Sequence, residues 1–212
     1  GPVLNDGYLD RAEELAGSHH PGGPLRGGKS RAFEAGAHVP FIVKWPAGIK
    51  GSGVSNTLLS QADLFASLAR LTGQSLKDGE APDSFDMLQQ LLGKSHRNRP
   101  YLVTDAGTLS LITDEWKYIA PSKGARINRA VNIELGNDTL PQLYHLTKDI
   151  AEQNNVAARY PEKVKAMAQQ LEEVKKLNAT AGNAPAAGRR RGCPGRTAGC
   201  ACRARRRAGS PP

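Results

Sequence analysis

The nine residues Gly22-Gly23-Pro24-Leu25-Arg26-Gly27-Gly28-Lys29-Ser30 contain four glycines and two cations. Glycine at that density works against a regular helix or strand and lets main-chain N–H groups come close to an anion, with Arg26 and Lys29 supplying positive charge beside them. An oxyanion site is the chemistry this composition suits. Gly23 to Ser30 also satisfies G-x-x-x-x-G-K-S, the string of loops that cradle nucleotide phosphates. That function needs a buried strand before the loop and a helix directly after it, so that the helix N-terminus faces the phosphates. Here Ala16-Gly17-Ser18-His19-His20-Pro21 is turn material, and Gly36 and Pro40 leave room for about two helical turns at most. The flanks therefore disfavour a nucleotide loop.

After Ser30 the chain runs Phe33-Glu34-Ala35-Gly36-Ala37-His38-Val39-Pro40 and then Phe41-Ile42-Val43-Lys44-Trp45-Pro46. Together with Leu25-Arg26-Gly27-Gly28-Lys29 this order resembles the sulfatase family, the formylglycine-dependent sulfuric ester hydrolases. Their pattern is L-R-G-G-K, an aromatic residue, E-G-G, a basic residue, V-P and an apolar strand ending in W-P. The chain departs from it at Ala35 and Ala37, where glycines are usual or tolerated, and at His38, where arginine is common. A second resemblance lies far downstream: Leu143-Tyr144-His145-Leu146-Thr147-Lys148-Asp149-Ile150-Ala151-Glu152-Gln153-Asn154-Asn155-Val156-Ala157 is similar to the family's closing L-Y-D-L-x-x-D-P-x-E-x-x-N-x-A segment, with Ile150 in place of proline. Ser84-Phe85-Asp86-Met87-Leu88 to Gly93 resembles a third family segment, a packing element.

The resemblance implies an α/β protein, the C-terminal part of an alkaline-phosphatase-like sulfatase fold with a small antiparallel sheet plus helix subdomain and a disordered basic tail. It implies hydrolysis of sulfate esters with a calcium ion and a formylglycine nucleophile. In that alignment the Asp-Asn metal-ligand pair would precede Gly1, and the Cys-or-Ser-x-Pro-x-Arg segment would lie further upstream. No metal ligand is therefore assigned within this chain, which is expected to be inactive alone. Lys29 is the expected sulfate or leaving-group contact, its ammonium meeting charge as the S–O bond breaks. Arg26 and Glu34 are expected to support the loop by charge-assisted hydrogen bonds, Glu34 by fixing Lys29 itself. His19 and His20 are candidate substrate-side groups, their bland alternative being solvated loop histidines. The implied partner is a sulfated small molecule or glycan and the implied setting periplasmic or secreted. The alternative is a non-catalytic remnant that binds anions or polyanions.

A net charge of +9 would ordinarily suggest a nucleic-acid partner. Residues 179–212, however, hold eight arginines and no lysine or acid, leaving +1 for the rest, so no specific nucleic acid is expected. This tail carries all three cysteines, Cys193, Cys200 and Cys202, without the paired spacing of a zinc site. Its composition cannot bury enough apolar surface to offset ordering entropy, so disorder is expected, and a frameshifted end would produce the same residues. No apolar run reaches the roughly 18 residues of a membrane span.

The basic, flexible link from Lys94 to Arg99 is expected to mark a boundary between residues 1–94, which the resemblance implies are the C-terminal part of the sulfatase catalytic domain, and 95–178, a sheet and helix subdomain. Phe41–Trp45 reads as a buried strand, and residues 61–72 as a helix turning Leu64, Phe65, Leu68 and Leu71 toward a core, stopped by Gly73. Strands are expected at 101–104, 108–113, 116–119 and 142–146, with residues 121–139 lacking periodicity. A helix from Tyr160 to Leu177, with Val164, Met167, Leu171 and Val174 on one stripe, should cover that sheet.

Overall fold

The computed structural model describes Pro2 and residues 11–77, 79–113 and 115–182. The cysteine-bearing, arginine-rich tail beyond 182 lies outside the described residues. The chain orders as α1 (Ala12–Ala16), α2 (Glu34–Ala37), α3 (Asp63–Leu71), α4 (Leu88–Leu91), β1 (Leu102–Asp105), β2 (Leu109–Ile112), β3 (Trp116–Ile119), β4 (Ile127–Asn128), β5 (Ile133–Glu134), β6 (Gln142–His145) and α5 (Pro161–Gly182).

Strands β1, β2, β3 and β6 form one antiparallel sheet in that spatial order. Gly107, at φ +81°, makes the β1–β2 turn, and its N–H donates to Asp105 Oδ1 at 3.0 Å. Alternation along each strand sends side chains to opposite faces. Leu111, Tyr118 and Leu143 meet Met167 and Leu171 of α5 on one face. Proline at the start of α5 and Glu162 in its first turn suit a helix N-terminus. The helix continues four residues into the segment expected to be tail, reaching Gly182.

The opposite face is covered too, by the segment after the glycine-rich loop. Ala32 and Phe33 pack on Ile112, Ile119, Tyr144 and Leu146. Phe33 and Tyr144 meet edge to face with centroids 6.3 Å apart. The sheet is thus a middle layer, and the loop bearing Lys29 rests on its second face. Residues 121–139, expected to be irregular, contain the short ribbon β4–β5. Two residues per strand are too few to register as periodicity.

Two expectations are corrected. Phe41–Trp45 is not a strand, and Phe41, Ile42 and Trp45 are 49%, 91% and 39% exposed. A strand exists only where a neighbour accepts its N–H and C=O groups, and among the described residues none pairs with it. Helix α3 forms where periodicity places it, but its buried face is Asp63, Ala66 and Ser67, while Phe65, Leu68 and Leu71 face outward. The buried polar groups are matched. Asp63 accepts from Ser60 N–H, Phe85 N–H and Arg99 Nη1, and Ser67 Oγ donates to the Asp63 carbonyl and accepts from Met87 N–H. Burial there is decided by satisfied hydrogen bonds rather than by hydrophobicity.

Candidate active site

The loop between Arg26 and Glu34 is tied at its base, where Ala35 N–H donates to the Arg26 carbonyl at 2.9 Å. Within it Arg31 N–H donates to the Gly28 carbonyl at 3.1 Å, and Lys29 N–H to the Pro2 carbonyl at 2.9 Å. Gly27 is at φ +91°, where a Cβ would also stand 2.9 Å from Phe33 Cβ. At Gly36 a Cβ would stand 2.1 Å from the Arg31 carbonyl oxygen. Both glycines are required by geometry, one by its dihedral angle and the other by close approach. Ala35 and Ala37 instead lie in α2, with no positive φ, so alanine suits both departures from the family pattern.

Lys29 is exposed, and its ammonium makes no hydrogen bond or ion pair with a described residue. Arg26, three residues before, is fully engaged. Its Nε and Nη2 hold Glu134 at 3.1 and 2.6 Å, its Nη1 donates to the Glu152 carbonyl at 2.6 Å, and the guanidinium lies 3.8 Å from the Phe33 ring centroid. Partial burial opposes the charge on Arg26, but Glu134 outweighs it and raises the pKa. Of the loop's three cations, Arg26 is therefore spent on structure, Lys29 faces outward, and Arg31 has its Nε buried without a hydrogen-bond partner among the described residues.

Glu34 does not hold Lys29. Its buried carboxylate accepts from Lys117 Nζ at 3.0 Å and has His38 Nδ1 at 3.5 Å. Burial would raise the Glu34 pKa, but His38 and Lys117 outweigh it and lower it. Reciprocally, the Glu34 bond raises that of His38. His19 and His20 sit in an exposed turn, where they contribute main-chain bonds: His19 N–H to the Ala16 carbonyl, and the His20 carbonyl accepting from Gly23 N–H. Arg26 and Glu34 are thus brought together beneath the loop, whereas neither histidine ring is bonded to it among the described residues.

Beside Arg26 lies a cavity of about 200 Å³ lined by Phe33, Arg126, Glu134, Asn137, Tyr144 and neighbours. Burial pushes the Tyr144 phenol up to about 12, so it is a neutral donor, bonded to Gln142 Oε1 at 2.9 Å. Asn137 is 7% exposed and its Nδ2 donates to the Ala125 carbonyl at 2.9 Å. A second cavity, about 400 Å³, lies between Pro21–Leu25 and Ala35–Pro40. Lys29 lines neither. Among the described residues no group of three or more His, Cys, Asp or Glu side chains could hold a metal ion, so they do not fit calcium coordination.

Sequence reasoning missed Lys117 and Glu152, both fully buried. A signal existed for each. Alternation that puts Trp116 and Tyr118 on one face puts Lys117 on the other with Ile119, which makes it a lysine on an apolar face. Glu152 falls on the glutamate of the family's closing segment.

A sulfatase family model matches residues 10–74. The N-acetylgalactosamine-6-O-sulfatase of Bacteroides thetaiotaomicron is 48% identical over 177 residues, covering 82% of this chain and 34% of that protein. Human arylsulfatase K is 29% identical over 158 residues, covering 69% of this chain and 27% of that one. A solved structure, described under the metabolism of multiple glycosaminoglycans by Bacteroides thetaiotaomicron, superposes with a TM-score of 0.80 at 47% identity, over 83% of this chain and 37% of its own. The chain spans about a third of the length of such relatives, and the superposition identifies it as a portion of a sulfatase-like fold with small antiparallel sheets and helices. With its glycine-rich loop, its closing segment and its backbone all in sulfatase order, the chain belongs to the sulfatase family.

Proposed function

We propose that this chain is part of an enzyme that hydrolyses sulfate esters of glycans, and that Lys29 contacts the sulfate or the departing oxygen. The observation that carries the reading is the division of labour in the loop, where Arg26 is locked to Glu134 and Glu152 while the Lys29 ammonium is exposed and unpaired among the described residues. An ammonium at the tip of a tied loop suits an anionic group entering from solvent. As the S–O bond breaks, negative charge grows on the leaving oxygen, and a cation held in place stabilises that charge more than it stabilises the ground state. The glycan assignment follows the 48% identical relative, whose name specifies N-acetylgalactosamine-6-O-sulfate chemistry.

A formylglycine nucleophile and a calcium ion are the family's expected complement, and the described residues offer no donor set for that ion. Their own contribution is positional and electrostatic. The alkaline-phosphatase-like architecture, the boundary near residue 94 and the periplasmic or secreted setting belong to the same reading.

The test uses a sulfatase parent containing this sequence. Lys29→Ala lowers kcat/KM on a 6-O-sulfated N-acetylgalactosamine substrate by roughly a hundredfold, with kcat falling as well as KM changing. Its urea midpoint stays at the parent value, because the side chain is exposed and has no partner among the described residues. Near-normal turnover by Lys29→Ala returns this residue to the class of solvated loop lysines.

A further inference from the structure

Both ends of the Lys29 loop meet the same residue. Arg26 donates from Nη1 to the main-chain oxygen of Glu152 at 2.6 Å, and Glu34 donates its main-chain N–H to Glu152 Oε2, also at 2.6 Å. Glu152 lies 126 positions from the first and 118 from the second. It is 0% exposed and adopts φ +50°. A residue with a Cβ stays in that left-handed conformation only where surrounding contacts hold it. Asp149 braces the turn from outside, accepting from Gln153 and Asn154 N–H.

A buried carboxylate needs a counter-charge. Lys117 supplies it from β3, its Nζ 3.1 Å from Glu152 Oε1 and 3.0 Å from Glu34 Oε1. The first contact is an ion pair without hydrogen-bond alignment, the second a hydrogen bond. Lys117 stands across from Tyr144 and beside Ile112 in the sheet register. It therefore faces the layer occupied by Ala32 and Phe33 rather than α5. One ammonium serves two carboxylates, with His38 beside Glu34 and Glu134 engaged by Arg26 at the rim.

We propose that Glu152 is the positioning residue of the Lys29 loop, a clasp that fastens residue 26 at one end and residue 34 at the other, with Lys117 as the buried counter-ion that holds it shut. The direction of the Lys29 ammonium is then set from the antiparallel sheet, not from the loop alone. The functional half of this inference rests on the reading of Lys29 given above; the clasp itself is a statement about loop geometry. A glutamate that merely filled the core would be replaceable without particular effect on the loop.

The experiment is amide hydrogen exchange on the 212-residue chain. In Glu152→Ala, exchange at Arg31, Ala32, Glu34 and Ala35 accelerates at least about tenfold while Leu111 and Tyr118 in the sheet keep their protection. In Glu152→Gln, which retains an acceptor for Glu34 N–H, most of the loop protection returns. If Glu152→Ala fails to fold, Arg26→Met opens the loop from its other end and leaves the buried Lys117 paired. Unchanged loop exchange in these variants overturns the clasp, and so does equal acceleration of loop and sheet, which marks a general loss of stability. In an active parent, Glu152→Ala lowers kcat by about tenfold or more and adds little to Lys29→Ala, as residues acting through one another do. If loop exchange rises while Lys29→Ala keeps its activity, the clasp stands and the sulfate-contact reading falls; if loop exchange does not rise, the clasp falls whatever the kinetics show.

Discussion

In the four-stranded sheet Leu111, Ile119 and Leu143 are fully buried, whereas between Val39 and Leu71 the side chains of Ile42, Phe65 and Leu68 stand 91%, 58% and 51% exposed. Both stretches have sequences that read as core. The sheet has a partner for each face, α5 on one side and the Ala32–Phe33 segment on the other, and strand neighbours for its main chain. Residues 39–45 have no strand neighbour among the described residues, and α3 is fastened instead by polar groups on its opposite side. The difference teaches that an apolar pattern states a capacity for burial, which is realised only where complementary surface and hydrogen-bonding partners exist.

The comparison can be broken first at its strongest points. Arg99→Met removes the partner of Asp63 in a pair whose side chains are 3% and 2% exposed, and costs about 3–5 kcal/mol in urea unfolding because a carboxylate is left buried without its cation. The loss appears as destabilisation of α3 before that of the sheet. If α3 amides keep their protection in this variant, the helix is held by something other than that pair.

Leu171→Ala, at the interface of α5 with the sheet, costs about 2–5 kcal/mol through lost transfer energy and a cavity, while Ile42→Ala stays within about 0.5 kcal/mol. Equal costs would mean that residues 39–45 are packed in solution as the sheet is. An environment-sensitive apolar dye offers a gentler probe: it binds the parent chain, and Phe65→Asp reduces the signal while leaving the unfolding midpoint near its parent value.

The smallest expected effect is the pH dependence of the junction beneath the loop. Glu34 is lowered from 4.5, so its contribution is complete above that value and is lost as pH falls through the folded pKa. His38 is raised from 6.5, so its contribution is complete below that value and is lost as pH rises through the folded pKa. Burial raises Glu152 despite the opposing pull of Lys117, and its ionisation also costs stability as pH rises. Stability therefore declines on both sides, as pH falls through the folded pKa of Glu34 and as it rises through that of His38. His38→Gln flattens only the decline above neutrality, and modestly, since that ring is 57% exposed. An unchanged decline above neutrality in this variant would mean that the contact of His38 with Glu34 adds nothing to stability.

The sheet was legible because local rules agree with the tertiary outcome there. Trp116 to Ile119 alternates, Gly107 marks the turn, and Pro161 opens a helix whose stripe matches the buried residues Met167, Leu171 and Val174. Of the site, the glycine-rich loop with Arg26 and Glu34 could be singled out from sequence, but the partners of those two side chains could not. Glu34 was expected on Lys29 and is found on Lys117, 83 positions away. No local pattern encodes a pairing of that range, since it depends on which faces come to lie together.

By itself, then, the sequence determined the glycines at 27 and 36, whose backbone requirements are local, the four strands and covering helix, whose periodicities are local, and the family order of the loop and closing segments. Only the tertiary structure decided that Lys117 is buried between two glutamates, that Asp63 rather than Leu68 is the inner face of α3, and that Phe41–Trp45 forms no strand. The physical reason is common to all three. A charge is buried only when another charge or hydrogen-bonding group meets it there, and an apolar strand only when a neighbour does, and both are supplied by parts of the chain remote in sequence.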